Sequence, residues 1–316
     1  DMRFYNERVE AARNFANKIW NAARFVLMNV GEYQPKGLKG LTLAPEDHWI
    51  LHNLDEAIKG VTDNIENLEL GMAAQKVYEF LWSDYCDWYI EMCKPRLQAE
   101  ETAKQTALEV LLYVLENTLK LLHPFMPFVT EEIYQSLPGT EGYLMMSAWP
   151  KESNLADKDT AETVAQMMEL VRTIRNLRRE LNVPQGKRAA LCILPEGDAE
   201  KAFEENKAWF SKLAYASELQ FLQDASRAPK ISSSAASPLG TAYLPLGELI
   251  DLDKERQRLD KELQKVQSEI KRAEGKLNNA GFVSKAPAHV VEEERRKLEE
   301  NKALLARVEA LKAKLA

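Results

Sequence analysis

Glycine and proline are sparse in this sequence, with 13 residues of each in a chain of 316. Their scarcity argues against turn-rich β structure and favours long helices. Long apolar runs are lacking too, because the most apolar stretch, residues 108–129, is interrupted by Glu109, Glu116, Lys120 and His123. A membrane helix needs about 20 predominantly apolar residues, so no membrane span and no membrane partner are expected. No secretory signal pattern opens the chain, and we expect a cytoplasmic protein.

Cysteine is also scarce, and Cys86, Cys93 and Cys192 show neither a paired nor a metal-type spacing. Buried thiols in a reducing cytosol are the expected interpretation. His48 and His52 stand four residues apart and could in principle share a metal ion, but no third ligand is evident. We therefore predict structural roles for both histidines and no metal.

Motifs that carry chemistry are absent as well. The sequence contains no glycine-rich phosphate loop and no Ser–His–Asp or Cys–His arrangement. We predict no cofactor and no catalytic residue in this chain. Position 1 is not methionine, and we expect the chain to be a fragment of a longer protein.

The charge is unevenly distributed. The net charge of −7 argues against a global field that attracts nucleic acid. From residue 251 onward, however, 16 Lys and Arg face 13 Asp and Glu, so the preceding residues carry a net charge of −10. A nucleic-acid surface would therefore consist of local patches.

Helical periodicity dominates the first 150 residues. Apolar residues at spacings of three, four and seven form one wide stripe, which is typical of a helix that faces a core. The stripe consists of Leu108, Leu111, Leu112, Leu115, Leu119 and Leu122. Further helices are predicted at residues 4–29, 45–70, 71–94 and 127–137. Short loops join them, so residues 1–150 are predicted to form a helical bundle.

The pattern changes after a linker at residues 138–156. Short apolar runs at residues 189–194, 219–222 and 242–246 indicate strands, and residues 161–181 and 200–213 indicate helices. Residues 157–250 are therefore predicted to form a small α/β domain. Its serine-rich stretch, residues 232–238, is predicted to be a flexible loop.

The last segment, residues 251–316, carries two heptad patterns. Apolar residues seven apart mark a seam on each side of a break at Asn278, Asn279 and Gly281. Two heptad helices around a short break predict an antiparallel coiled-coil hairpin. The first seam comprises Leu252, Leu259, Val266 and Ala273, with Leu263, Ile270 and Leu277 offset by four. The second comprises Val291, Leu298 and Leu305, with Val308 and Leu315 at the partner positions. The predicted fold is thus mainly α: a helical bundle, a small α/β domain and a helical hairpin.

Two faces could contact RNA. On the first helix, Phe15, Ile19, Ala22 and Val26 fall on one side, and an opposite side combines an aromatic with cations and amides. Trp can stack on bases, Asn can address base edges and Arg can reach phosphates, although the same residues could instead brace neighbouring helices. The opposite side comprises Arg13, Asn17, Trp20, Asn21 and Arg24, with Asn14 at its edge.

A second candidate is an arginine stripe formed by Arg172, Arg175 and Arg179, with Arg178 beside it. It is either a phosphate-contact patch or, more commonly, a solvated basic face. The aromatic-rich segment at residues 80–89 contains Trp82 and Trp88, which we predict to be core residues.

Several stretches resemble one family, the valyl-tRNA synthetases. The resemblance covers nearly the whole chain in order, and the hairpin tip is its most specific element. One departure is Tyr134, where many relatives carry Trp, and the exchange of one aromatic for another puts little in doubt. The matching stretches are residues 13–22 (RNFANKIWNA), 86–89 (CDWY), 123–128 (HPFMPF) with 130–132 (TEE), 171–187, and 281–287 (GFVSKAP) with 290–292 (VVE).

The resemblance implies an anticodon-binding bundle and a tRNA-binding arm from an enzyme that activates valine with ATP and magnesium and attaches it to tRNA(Val). The family's catalytic signatures and editing domain are absent here, and by the family pattern they lie in an upstream catalytic domain. A monomer is expected. The implied anticodon contacts are Arg13, Asn14, Asn17, Lys18, Trp20, Asn21 and Arg24. The implied contacts to the tRNA backbone and elbow are Arg172, Arg175, Arg179, Lys271, Arg272, Lys276, Lys285, Arg295 and Arg296.

The hairpin alone also fits a second hypothesis, a protein-interaction module that pairs with another chain and makes no contact with tRNA. Heptad seams do not separate the two, because one hairpin can satisfy both of its seams internally.

Overall fold

The computed structural model describes residues 5–184, 186–279, 281–282 and 287–314, and this part of the chain is mainly α-helical. It divides into two compact units, Asp1–Glu169 with Asp198–Leu213, and Leu170–Gly197 with Ala214–Ala316. The domain boundaries predicted near residues 150, 157 and 250 stay predictions. Among the described residues, none of the helices combines the length and the apolar character that crossing a membrane requires.

The first unit is helical. Its long helices pack apolar faces together, and short loops with proline or glycine join them. The elements are α1 (Asn6–Val30), α2 (Pro45–Glu66), α3 (Leu70–Glu79), a π-helical segment (Phe80–Tyr89), α4 (Ile90–Arg96), α5 (Glu101–Leu122), α6 (Pro127–Tyr134) and a 3-10 turn (Leu144–Met146). Helix α7 (Lys158–Glu180) begins in this unit and ends in the second, and α8 (Ala199–Glu205) and α9 (Lys207–Leu213) also belong to the first unit.

Helix α5 supplies the centre of the bundle core. All six leucines of its predicted stripe are buried, which confirms the orientation inferred from their spacing. Burial of a leucine side chain contributes about 1.5–3 kcal/mol relative to exposure, so this stripe is a main source of the bundle's stability. Tyr85 fixes the neighbouring segment against it, because its hydroxyl donates a 2.9 Å hydrogen bond to the Leu111 carbonyl.

The aromatic segment departs from the prediction of one α-helix over residues 71–94. The chain instead passes from α3 through the π-helical segment to α4, which includes Pro95 and ends at Arg96. Trp88 is buried as predicted, whereas Trp82 is only partly buried, so its assignment to the core was wrong. Tyr85 and Tyr89, both fully buried, occupy the core positions of this segment.

The second unit contains a four-stranded sheet in the order β2-β1-β4-β3. Strands β1 and β2 pair in parallel, and β4 pairs antiparallel with both β1 and β3. The strands are β1 (Ala189–Pro195), β2 (Ala216–Phe221), β3 (Ser232–Ser237) and β4 (Gly240–Pro245).

Strand β3 corrects the prediction of a flexible loop over residues 232–238. Its serines and alanines alternate between the two faces of the sheet, and Ser233 and Ala235 are buried. Six residues pair with β4, from Ser232 opposite Pro245 to Ser237 opposite Gly240. Backbone pairing at a sheet edge with small inward side chains therefore overrides a composition that is typical of loops.

The hairpin consists of α10 (Leu252–Leu277) and α11 (Ala288–Lys314). Ion pairs between Lys276 and Glu294 near the tip and between Lys312 and Asp260 near the base show that the two helices run antiparallel. The Asp251 carboxylate caps α10 by accepting a 3.1 Å hydrogen bond from the Lys254 backbone N–H. The residues buried along the predicted seams are Leu259, Val266, Ala273, Val291 and Val308.

Candidate nucleic-acid interface

Helix α1 presents the predicted mixed face to solvent. Phe15, Ile19, Ala22 and Val26 are buried, as the helical periodicity predicted, and Trp20 on the other side is 46% exposed. The polar residues that surround Trp20 are all exposed, namely Arg13, Asn14, Asn17, Asn21 and Arg24. From Arg13 to Arg24 they extend over 12 positions, or roughly 16 Å of helix. This set, the α1 strip, offers an aromatic ring, amides and guanidinium groups to one ligand surface.

Lys18 borders the strip and is engaged in tertiary contacts. Its ammonium nitrogen is 3.9 Å from the centre of the Trp82 ring and forms an ion pair with Asp87. Trp82 in turn stacks on Tyr78, with ring centres 5.6 Å apart. Lys18 thus joins α1 to the aromatic segment through a cation–π contact. The partly exposed rings of Tyr78 and Trp82 are missed by sequence reasoning, since aromatic residues at helical spacing usually indicate core.

The arginine stripe lies in the second unit. Arg172 and Arg179 are exposed, Arg175 is half-buried and Arg178 is buried. These arginines line a cavity of about 770 Å³ together with Tyr215, which precedes β2. No sequence signal pointed to Tyr215, because it is far from the stripe along the chain.

The hairpin carries its predicted cations in two electrostatic environments. Lys276 is ion-paired with Glu294 at 2.8 Å, and Arg295 and Arg296 lie 3.9 Å and 3.5 Å from the carboxylates of Glu292 and Glu300. Lys271 and Arg272 are exposed and have no ion pair within 4 Å in the described part of the chain. Lys285, at the predicted tip, lies outside the described residues.

The histidines and cysteines have structural surroundings. His48 Nδ1 accepts a 3.0 Å hydrogen bond from the Asp157 backbone N–H. Within the described ranges, no group of three or more His, Cys, Asp or Glu side chains is arranged to hold a metal ion. Burial raises the pKa of the Cys86 thiol to about 12, so it is protonated and a poor nucleophile at neutral pH.

Comparison with protein families places two known domains on this chain. Residues 47–193 match the anticodon-binding domain of tRNA ligases, and residues 251–316 match the valyl-tRNA synthetase tRNA binding arm. The first match covers most of the bundle from α2 onward and extends to β1. The second begins at Asp251, which caps α10 of the hairpin.

Curated relatives match along almost the entire chain. A valine–tRNA ligase of Clostridium acetobutylicum is 47% identical over 98% of this chain and 35% of its own length. The ligase of Clostridium tetani is 48% identical over 99% of the chain and 36% of its own length. That of Geobacillus stearothermophilus is 44% identical over the whole chain and 36% of its own length. The chain spans about a third of these relatives, in their C-terminal part. With a tRNA-ligase anticodon-binding domain followed by the valyl-specific arm, it belongs to the valine–tRNA ligase family.

Proposed function

We propose that this chain is the tRNA-binding C-terminal portion of a valine–tRNA ligase, and that it holds tRNA(Val) at the anticodon and at the elbow. The observation that carries the proposal is the α1 strip, in which a half-exposed Trp20 stands among arginines and asparagines. Its exposure contrasts with that of Trp49 and Trp88, which lie in the core.

The α1 strip has the chemistry that single-stranded RNA loops require. Anticodon bases project from a loop, so the Trp20 ring can stack on a base face, at about 1–3 kcal/mol per base. The amides of Asn17 and Asn21 can hydrogen-bond to base edges, and Arg13 and Arg24 can neutralise neighbouring phosphates. Lys18, which is held by Asp87 and Trp82, would stabilise the border of the strip more than contact RNA directly.

The hairpin serves as an arm in this proposal. Helix α10 has 26 residues, which corresponds to a length of roughly 40 Å. The heptad seam makes it a coiled coil, and the packing of its two helices gives the stiffness that an arm needs. Two modest contacts on one chain, one to the anticodon and one to the elbow, reinforce each other by effective concentration.

The activity of the whole enzyme is part of the same proposal. In the intact protein, the region upstream of this chain would activate valine with ATP and magnesium and transfer it to tRNA(Val). That catalytic domain and tRNA(Val) are the proposed partners, and the proposed state is a cytoplasmic monomer. The hairpin buries its seam residues against its own partner helix, which leaves less apolar surface for the alternative role in protein interaction.

The test is equilibrium binding of the intact chain to a tRNA(Val) transcript, with the same transcript carrying a substituted anticodon as the matched control. We expect saturable binding that weakens with the anticodon change, together with protection of the anticodon loop and elbow from nuclease. Equal binding of both transcripts with no protection of either region would contradict the proposal. Concentration-dependent self-association in size-exclusion chromatography would favour the protein-interaction alternative.

A further inference from the structure

Arg178 is a buried cation that lacks part of its hydrogen bonding. Arg178 is only 5% exposed. Arginine is among the residue types that are almost never fully buried without a partner. One terminal nitrogen, Nη2, donates to the Lys187 carbonyl. The other, Nη1, is buried and has no hydrogen-bond partner in the described part of the chain. A buried donor on a charged group that makes no hydrogen bond raises the free energy of the folded state. A ligand that accepts a hydrogen bond from this donor would remove that penalty.

The space beside Arg178 is the arginine-lined cavity of about 770 Å³. Arg172, Arg175, Arg178 and Arg179 all line it, and among the described lining residues there is no aspartate or glutamate. Four guanidinium groups on one short stretch of α7 concentrate positive charge at this cavity, which favours a bound anion. The cavity therefore has the electrostatics of an anion site.

The ring of Tyr215 holds two of these guanidinium groups in place. The guanidinium carbons of Arg178 and Arg175 lie 5.3 Å and 5.7 Å from the centre of this ring. Cation–π attraction at such distances contributes about 0.5–2 kcal/mol and holds both groups at the cavity wall. The backbone of Tyr215 has φ of +56°, a left-handed conformation that is uncommon outside glycine. This conformation lies just before β2, so the sheet fixes the position of the ring.

The electrostatics of Arg178 agree with this geometry. Burial lowers the pKa of its guanidinium, the Tyr215 phenol opposes that effect, and the nearby Arg188 lowers the pKa further. The charged form is thus less stabilised than in water, and a bound anion would restore it.

We infer that this cavity binds one phosphate group of the tRNA backbone, with Arg178 as the buried donor and Tyr215 as a positioning residue. The inference rests on the proposed function and deepens it, because it gives the backbone contact expected of the arginine stripe a defined site with a buried donor, separate from the α1 strip and from the hairpin. Phosphate is the ligand class because guanidinium forks match its oxygens bidentately and because several cations converge on one point. The three partners would be the Nη1 of Arg178 and the guanidinium groups of Arg175 and Arg179.

The test measures the affinity of the intact chain for a tRNA(Val) transcript over a series of KCl concentrations. The variants are Arg178→Gln and Arg179→Gln, and the latter alters an exposed residue that the fold does not need. Lys230→Gln is the matched control, because it removes one exposed positive charge from the same unit outside the cavity. We expect each cavity variant to weaken binding about tenfold or more and to lower the salt slope by about one unit, and the control to change neither.

Substitutions of Tyr215 distinguish a role in positioning the arginines from a role in folding alone. Tyr215→Phe keeps the ring and should bind tRNA as the wild type does, whereas Tyr215→Leu should behave like the arginine variants. Phosphate-ethylation interference should show one position on the tRNA whose modification weakens binding to the wild type and has no effect on Arg179→Gln. Equal effects of Tyr215→Phe and Tyr215→Leu would overturn the positioning role.

Titration with inorganic phosphate distinguishes the ways in which the inference could fail. The titration should shift the NMR signals of the Arg178 and Arg175 guanidinium groups in a saturable way. If phosphate binds but the variants retain wild-type tRNA affinity and salt slope, the cavity is a site for small anions and the RNA inference is wrong, while the proposed function stands. If the wild type does not bind tRNA, the proposed function fails and this inference fails with it. No shift of either arginine with phosphate, combined with unchanged tRNA binding by the variants, overturns the anion site altogether.

Discussion

Arg96 holds Asp47 through two parallel hydrogen bonds, from Nη1 to Oδ1 at 2.7 Å and from Nη2 to Oδ2 at 2.9 Å. The Tyr89 hydroxyl donates a 2.6 Å hydrogen bond to the same carboxylate, and the Ala44 backbone N–H donates another at 2.9 Å. Asp47 is completely buried. The first turn of α2 is thus fastened to α4 by a buried ion pair whose oxygens are all engaged, which is the condition under which such a pair is tolerated in a core.

Removal of one partner from this pair should strongly destabilise the bundle. Asp47→Ala removes the carboxylate that engages both terminal nitrogens of Arg96 and leaves Glu46, 3.1 Å from Nη1, beside the guanidinium. We expect a loss of about 3 kcal/mol in the free energy of unfolding, at the low end for a broken buried pair. Urea denaturation followed by circular dichroism measures it. The control is Lys201→Ala, which breaks an exposed pair with Glu205 at 3.6 Å and should leave the midpoint nearly unchanged. Similar midpoints for both variants would contradict the structural role of the buried pair.

The neighbouring Glu46 should make the stability depend on pH. Burial and the adjacent charge of Asp47 raise the pKa of Glu46 from 4.5 to about 7, against the opposing effect of Arg96. Between these two values the folded protein holds a proton that the unfolded chain has released, so stability falls as the pH rises from about 4.5 to 7. Above that window the penalty is constant and amounts to roughly 3 kcal/mol at most.

The measurement is urea denaturation at pH 5 and at pH 8. Glu46→Gln cannot ionise, so its stability relative to the wild type should increase from the lower to the higher pH. Glu56→Gln, an exposed carboxylate on the same helix, is the matched control and should give parallel curves. A Glu46→Gln variant that gains nothing at pH 8 would show that Arg96 keeps this carboxylate ionised.

Much of this fold could be predicted from the spacing of apolar residues, because that spacing shows which side of a helix is buried. The leucine stripe of α5 and the seam positions of the hairpin follow from spacings of three, four and seven residues. The π-helical segment and the break between α8 and α9 could not be predicted in this way. At that break, Asn206 accepts a 2.8 Å hydrogen bond from the Trp209 indole and donates one to the Ala202 carbonyl, a local arrangement that replaces helix continuity. Strand β3 depends entirely on its pairing with β4.

The candidate interfaces also differ in whether a local sequence pattern could predict them. Exposure of Trp20 follows from the period of one helix, so the α1 strip could be predicted from sequence. The environment of Arg178 could not, because its partner ring, Tyr215, comes from a distant turn of the chain. Likewise, the attachment of Lys18 to Asp87 and Trp82 is a tertiary contact that no local pattern encodes.

Substitution of Trp20 should weaken tRNA binding without unfolding the bundle. Trp20→Ala removes a stacking surface worth about 1–3 kcal/mol, so we expect an increase in Kd of about fivefold to 150-fold. Met72→Ala is the matched control, since Met72 is another exposed apolar helical residue, 61% accessible, and lies on α3 instead of α1. Circular dichroism should show equal helix content for both variants. A large loss of helix in Trp20→Ala alone would mean that the ring braces the bundle.

The isolated chain should be catalytically silent. It has no nucleotide-binding loop in its sequence, and it spans about a third of the length of the ligases that it resembles. We therefore expect no valine-dependent exchange of pyrophosphate into ATP, assayed with a full-length valine–tRNA ligase as the positive control. Exchange that copurifies with the chain and responds to substitutions within it would contradict this expectation.

The cations of the hairpin should differ in their importance for tRNA binding. A cation already paired with a carboxylate must give up that pair, or share it, before it meets a phosphate, and the net gain is correspondingly small. Lys271 and Arg272 carry no ion pair within the described residues, whereas Arg296 lies 3.5 Å from Glu300. The double variant Lys271→Gln, Arg272→Gln should therefore lower the salt slope of binding by about two units, and Arg296→Gln should lower it by less than one.

Two cations at the base of the arm provide the matched control for this comparison of hairpin cations. Lys254 and Arg256 are paired with Asp251 and Asp253 at 3.1 Å and 3.6 Å, so their double replacement by glutamine removes the same charge far from the tip. If the arm contacts the tRNA elbow near its tip, this control should retain the wild-type slope. If both double variants lower the slope equally, the arm attracts tRNA only through its average charge, because a diffuse field does not distinguish the position of a lysine along a helix of roughly 40 Å. A contact to a defined phosphate does distinguish it, and the difference between the two slopes therefore decides whether the hairpin is an arm that binds or merely a basic surface.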